Sequence, residues 1–423
     1  MTPRMSVEYM LAERTARSGR VSRARVMMRI ATLSSALGIA VMIVTLAVVS
    51  GFRHRIYGDL RGFGADVRVC DVRTLRGGEG EPLWPSEGFV GRLRACEGVE
   101  AVWPYAEASG MAKNGDHVAG LGIKGVDASC DLGWWRSRLV EGEMPAVGGE
   151  ARTKDLLLSR ATAAALRLAV GDKVEMLFMD DGGRPRRDRF VVSGFYDTGF
   201  EEIDRATALT DIRNVQRIAS PDNGAITGYE IMARRGASAA DVAAAAEMAI
   251  EAAFYEDGDQ SVGAAAAVTL AERYPVVFDW LKTHDVNARV ILAVMMAVVL
   301  FNMASAMLIM VLDRTGMIGV LKAMGMRNGA VRRIFLYRAA MLFVRGAAWG
   351  NAVGLALVGL QAWLAPVKLD PEGYMLSELP VRIDVWWLAA LNAGAVAVTV
   401  AVMTLPSMIV ARISPESSLK YRQ

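Results

Sequence analysis

The chain switches between two hydrophobic patterns. Four mostly apolar runs reach the roughly 20 residues a helix needs to cross a bilayer: 30–52, 290–312, 334–364 and 386–409. Trp386 and Trp387 open the fourth, as an interfacial aromatic belt would. A basic stretch precedes the first run, as in a secretion signal. Its apolar length exceeds a signal core and no convincing A-x-A site follows, so it reads as a retained anchor. Residues 1–29 are expected to form a basic amphipathic helix lying along the membrane surface.

Between the first two runs, residues 53–287 change to short-period patterning. Strands are expected at 65–72, 99–108, 117–126, 173–179 and 190–196, and helices at 87–95, 156–168 and 237–254. Interleaved strands and helices predict an α+β domain. The fold class is thus a membrane α-helical protein with four transmembrane helices and a large α+β extracytoplasmic domain. Asp180-Asp181-Gly182-Gly183 is a turn signal, followed by Arg184, Pro185, Arg186, Arg187 and Arg189. This arginine-rich hairpin is either a solvated tip or a docking finger for an acidic surface.

Charge placement orients the spans. Arg4, Arg14, Arg17, Arg20, Arg23, Arg25 and Arg29 precede the first; Arg314, Lys322, Arg327, Arg332 and Arg333 separate the second from the third; Arg412, Lys420 and Arg422 follow the fourth. The 365–385 loop is acidic instead, with Asp370, Glu372, Glu378 and Asp384. The excess of cations predicts cytoplasmic termini and a cytoplasmic 313–333 segment, with 53–287 outside. Arg345 follows Arg338 by two helical turns. It is either a polar contact inside the bundle or an interfacial residue of a helix that starts later. Asn302 and Asn392 are candidate interhelical hydrogen-bond donors.

Composition agrees with a membrane region plus a soluble one: 53% of residues are hydrophobic, and the net charge is only +3. Three cysteines (Cys70, Cys96, Cys130) without CxxC spacing, and three scattered histidines, argue against a metal centre. No GxxxxGK[ST] occurs, so ATP binding in a P-loop is excluded. No nucleophile with a positioned base is evident, and Glu201, Glu202 and Asp204 read as a charged turn.

The 312–335 stretch, wedged between two apolar runs, carries distinctive chemistry. Met317, Ile318, Leu321 and Met324 fall on one helical face, flanked by Lys322, Arg327, Arg332 and Arg333 and punctuated by Gly325 and Gly329. It is either a platform for a soluble motor or a loop whose arginines hold orientation.

These parts together resemble the FtsX/MacB-type (type VII) ABC transporter permeases, and within them the lipoprotein-releasing LolC/LolE group. The resemblance is carried by ATLSSALGIAVMIVTLAVVSGFRHRI (31–56), GFGADVRV (62–69), VAGLGIKGVD (118–127), EGEMP (141–145) and LLLSRATAAALRLAVGDKVEM (156–176). It continues in FVVSGFYDTGFEEID (190–204), FNMASAMLIMVLDRTGMIGVLKAMGM (301–326) and LPSMIVARISPESSLKYR (405–422).

The resemblance implies an external domain divided into a porter-like part (53–125 and 225–287) and an inserted β-rich part (126–224). It makes 313–333 a coupling helix, with Met317, Ile318, Leu321, Lys322, Met324 and Gly325 docking a LolD-like ATPase dimer that binds the ATP and Mg; this chain would hold no cofactor and not be an enzyme itself. Gly316 stands where relatives commonly carry an acid, shifting weight to Ile318, Leu321 and Met324. The outer ends of spans one and two (Leu46, Val49, Phe52, Val290, Ile291, Val294) would line a lipoprotein cavity beside membrane lipid. The 180–189 hairpin falls where LolC-type members recruit a LolA-like periplasmic carrier. A second copy or a related permease would complete an inner-membrane dimer, with no role for nucleic acid. A MacB-like efflux or mechanotransmission permease, and an FtsX-like cell-division regulator, are the alternatives.

Overall fold

The structure is a computed structural model and describes residues 23–75, 80–84, 86–179, 185–219, 224–370, 374, 376 and 378–407. Two compact units emerge: one takes residues up to 54, 281–367 and the chain from 379 onward, the other 55–280 and 368–378. Residues 1–22 of the expected 1–29 surface helix, and residues 408–423, lie outside the described residues, while 23–29 are continuous with the first long helix, Arg23–Gly64.

The first unit is helical. Its elements are α1 (Arg23–Gly64), α4 (Pro275–Asp313), α5 (Thr315–Ala323), α6 (Asn328–Leu364) and α7 (Val385–Ser407), with α2 (Glu87–Ala95) and α3 (Ala239–Tyr255) belonging to the second unit. Helices α1, α4, α6 and α7 are long and apolar enough to cross a membrane. At 42 and 39 residues, α1 and α4 outrun a bilayer core and contribute to both units.

Lipid tails supply no hydrophobic drive between helices, so close packing and polar pairs must hold them. Gly346, Gly350 and Gly354, one helical turn apart, let α6 approach α1: a Cβ at Gly350 would lie 2.6 Å from the Ala36 carbonyl oxygen. Gly38 of α1 similarly receives Val299 of α4. Asn351 and Asn392 exchange amide hydrogen bonds between α6 and α7 at 2.7 and 3.0 Å, and Asn302 donates to Ser34. Helix α6 begins at Asn328, 17 residues before Arg345, so a late-starting helix is excluded. Arg338 is buried near the Met28 sulfur, whereas Arg345 is exposed beside Gly346, which packs at the height of Thr32 and Ser35. There it lies close to the basic end of α1, within snorkelling reach of the interface.

The second unit is built on ten strands: β1 (Val67–Asp71), β2 (Val99–Asn114), β3 (His117–Val126), β4 (Leu139–Gly142), β5 (Asp155–Ser159), β6 (Lys173–Met179), β7 (Pro185–Tyr196), β8 (Thr207–Asp211), β9 (Gly228–Ala233) and β10 (Ala265–Thr269). They run in the order β10-β1-β9-β2-β3-β8-β5-β7-β4, with β6 bridging β2 and β7. Six pairings therefore close a ring, β2-β3-β8-β5-β7-β6, which is a small barrel filled by Ala112, Leu121, Leu158, Met176, Phe178, Phe190 and Val192. Strands β10, β1 and β9 extend from β2 as an open antiparallel wing. Helices α2 and α3 cover one face of that wing over Val67, Val69, Val102, Tyr229 and Ile231.

Three expectations change. The run at 156–168 is strand β5 followed by a short helix from Arg160 to Leu166 whose N-cap is Ser159. A buried strand and a buried helix leave the same short apolar run. The proposed boundary at 126 cuts through the barrel, because β2 and β3 pair directly with strands of the inserted part. The strand expected from 190 starts earlier: β7 begins at Pro185, paired with Met179, and takes in the arginine arm of the hairpin. At the outer edge of the wing, the β10 amides of Ala267 and Thr269 donate to the carboxylates of Glu247 and Glu272.

Candidate functional site

The segment expected to dock a motor divides in two. Helix α5 covers only Thr315–Ala323; the chain then turns at Gly325, φ +88°, and Asn328 already starts α6. Ile318 is fully buried, and Met317 and Leu321 pack against the same helical core. The face left open is Gly316, Val320, Ala323 and Met324, with Met324 80% exposed. The most apolar stripe of this amphipathic helix packs into its own protein. Of the expected docking residues, Met324 and Gly325 are open, Lys322 is partly so, and Ile318 is not available.

The six expected cavity residues do not share one environment. Phe52 is buried and Leu46 and Val49 are partly buried, whereas Val290, Ile291 and Val294 are exposed. The exposed row continues along α4 through Val298 to Phe301, at i, i+4, i+8 and i+11 from Val290. A second exposed row, Val26, Ile30, Leu33 and Leu37, runs along the other end of α1. Phe52 is enclosed within the chain, whereas Val290, Val294 and Val298 are exposed.

The hairpin belongs to the barrel wall. Cross-strand register places Gly120, Met111, Leu177 and Arg187 in one row across β3, β2, β6 and β7. The next row is Val118, Lys113, Glu175 and Arg189. Met111, Val118, Met179, Pro185, Arg187 and Arg189 are exposed, so the outer wall is apolar with a basic margin. Arg186 and Asp188 alternate to the opposite side, where Arg186 reaches the Arg217 carbonyl and Asp188 pairs with Lys154. Arg184 lies outside the described residues. Met111, Val118 and Met179 escaped sequence reasoning; exposed apolar residues alternating along a strand were the available signal.

Sequence reasoning also missed a buried ionic centre. On the wing face opposite α2 and α3, Arg68, Glu230 and Trp103 register side by side on β1, β9 and β2. Glu230 accepts from Lys124 Nζ at 2.7 Å, Arg68 Nε at 2.8 Å and Trp103 Nε1 at 2.9 Å. Arg68 also pairs with Glu107 at 2.9 Å and lies over the Tyr105 ring. Burial alone would raise the Glu230 carboxyl, but Lys124 and Arg68 outweigh it and hold it down at about 2. Burial pulls the Lys124 ammonium below its ordinary value, with Glu230 opposing. Burial pushes the nearby Cys130 thiol up to about 12, which leaves it protonated and unreactive.

Comparison with known proteins finds two family domains in the chain. Residues 30–249 match the MacB-like periplasmic core domain and residues 289–415 the FtsX-like permease C-terminal domain. The chain is 24% identical over 414 residues to the lipoprotein-releasing system transmembrane protein LolC of Xylella fastidiosa (strain Temecula1 / ATCC 700964), covering 92% of each. It is 20% identical over 415 residues to LolE, of the same description, from Haemophilus influenzae (strain ATCC 51907 / DSM 11121 / KW20 / Rd), covering 92% of this chain and 93% of that one. The periplasmic region of MacB from Actinobacillus actinomycetemcomitans aligns with 50% of this chain and 91% of its own at 11% identity and a TM-score of 0.35. With four membrane-competent helices and both domain types in order, the chain belongs to the family of FtsX-like permeases that carry a MacB-like periplasmic core domain.

Proposed function

We propose that this protein is the membrane subunit of an ATP-driven transporter that extracts lipoproteins from the inner membrane and hands them to a periplasmic carrier. The observation that carries the reading is the end-to-end likeness to proteins named for lipoprotein release, over 92% of both chains. The termini and α5 face the cytoplasm, where Arg314, Lys322, Arg327, Arg332 and Arg333 gather. The α/β unit stands in the periplasm.

ATP and Mg belong to a separate LolD-like ATPase, which docks against Val320, Ala323 and Met324 of α5. A second copy or a related permease completes the assembly. Acyl chains need an apolar surface, and each buried CH₂ holds them in the bilayer by about 0.8 kcal/mol. Extraction therefore requires work, supplied by ATP, and a lateral apolar track, supplied by Val290, Val294 and Val298. The carrier docks on the barrel wall through Met111, Val118, Met179 and Pro185, with Arg187 and Arg189 reading its acidic rim.

A photo-crosslinker at Val294 in cells tests this. Capture of acylated lipoproteins, enriched when ATP hydrolysis is blocked, is the expected result. Crosslinks to lipid alone, with lipoprotein release unaffected by depletion of the protein, would overturn it.

A further inference from the structure

The end of the helical unit where α1 and α6 begin carries charge that it does not neutralise. Residues 23–48 and 300–350 hold ten arginines and lysines and one carboxylate, Asp313, whose contact with Arg314 is a loose 3.9 Å. Arg29, Arg327 and Arg333 are exposed, so water can solvate them. Arg338 is different. It is 9% exposed, and no carboxylate pairs with it among the described residues. Its guanidinium donates to the Met28 sulfur at 3.7 Å, and a thioether is a weak acceptor. The charge close enough to act on it is another cation, Arg314. A guanidinium enclosed in an apolar bundle without an anion is costly, and such a residue marks a site that an anion completes.

The surroundings narrow the class of anion. Arg345 lies seven residues beyond Arg338, on the same side of α6 and about 10 Å further along it. It is exposed, yet sits inside the apolar run 334–364. Across the α1–α6 contact, Arg29 follows Met28 in the chain. Leu33 and Leu37 continue from Arg29 at i+4 and i+8, and both are exposed. Cations thus gather at one level, and open apolar side chains lead from them toward the middle of the spans. A phospholipid has that order of polarity. An acidic soluble protein would meet Arg327 and Arg333, but Arg345 lies two turns inside the span, away from water.

We propose that Arg338, Arg345 and Arg29 form a site for the phosphate of an anionic phospholipid, whose acyl chains lie along Leu33 and Leu37. The headgroup displaces the flexible Met28 side chain from Arg338 and exchanges a weak sulfur contact for charge-assisted bonds. The inference rests on the span orientation proposed above for the leaflet that supplies the lipid, and not for the chemistry.

The test places the full chain in nanodiscs of equal parts phosphatidylglycerol and phosphatidylcholine and identifies retained lipid by native mass spectrometry. The wild type should retain phosphatidylglycerol in preference by about tenfold. Arg338→Met should abolish the preference. Arg345→Gln and Arg29→Gln, at exposed positions that do not threaten folding, should each lower it by about fivefold, the worth of one cation beside an anionic headgroup. Arg338→Lys should restore part of it, because the charge remains while the planar fork is lost. Arg333→Gln, outside the site on the same helix, should leave the preference unchanged. No preference in the wild type, a preference that survives both Arg338→Met and Arg345→Gln, or an equal loss in Arg333→Gln would overturn the site. Displacement of the lipid by millimolar inorganic phosphate would overturn a lipid as its occupant. Labelling of Met324→Cys by an impermeant thiol reagent from outside the cell sinks the orientation instead, and the lipid preference alone then decides the site. None of these measurements involves a lipoprotein, so failure of the transporter reading leaves them standing.

Discussion

Replacing Gly350 by alanine tests how the membrane unit is held together. The added Cβ would sit 2.6 Å from the Ala36 carbonyl oxygen and 2.8 Å from the Ile39 Cβ. Carbon contacts are comfortable at about 3.5–4.0 Å, so α1 and α6 must part by several tenths of an ångström or more. Overpacking of this kind costs about 1–3 kcal/mol. Alanine returns about 1 kcal/mol of helix propensity, leaving a net loss of about 0–2 kcal/mol, toward the upper end for so close a contact. At Gly346 the nearest atoms lie at 2.9 Å, and at Gly354 at 3.2 Å, so the loss should shrink in that order. Gly359 on the same helix meets nothing within 4 Å, and alanine there should be neutral or slightly stabilising. Unfolding of the full chain by SDS in mixed micelles, followed by far-UV circular dichroism, ranks the four variants. Equal midpoints for Gly350→Ala and Gly359→Ala would refute the claim that close backbone approach holds α6 to α1.

The remaining predictions concern α5 and the ionic centre. Ile318→Ala should cost about 2–5 kcal/mol in the same unfolding assay because it empties a buried site. Met324→Ala should change stability by no more than about 0.5 kcal/mol, yet weaken ATPase association measured by co-purification. Gly325→Ala should lose about 1 kcal/mol from its left-handed backbone alone, whereas Gly329→Ala, with open space around it, should not. Glu230 is held at about 2 against an ordinary 4.5, so its contribution is complete above pH 4.5 and lost as pH falls toward 2. That shift amounts to about 3 kcal/mol, and Glu230→Gln should flatten the acid limb of stability against pH. An unchanged acid limb would contradict the depressed carboxyl.

The spans were legible because bilayer thickness imposes a length that composition alone reveals. The barrel was not: its closure depends on β2 meeting β6 and β3 meeting β8, pairings made between distant segments that no local pattern encodes. Periodicity found the apolar stripe of α5 and assigned it outward, although Ile318 turned inward. The same limit hid the centre around Glu230. Lys124 and Glu230 are 106 residues apart, and each is a single charge within an otherwise strand-like run, GLGIKGV and GYEIMA. A charge at such a position signals a buried partner, but not which one.

Exposed strand edges invite other chains to pair with them. With Glu247 and Glu272 occupying the amides of β10, an incoming strand would have to displace two carboxylates before forming its first ladder bonds. The sheet is thereby closed to augmentation on that side, by partner subunits and by aggregating neighbours alike. Association of this unit is steered toward its side-chain surfaces, where recognition depends on composition rather than on main-chain pairing.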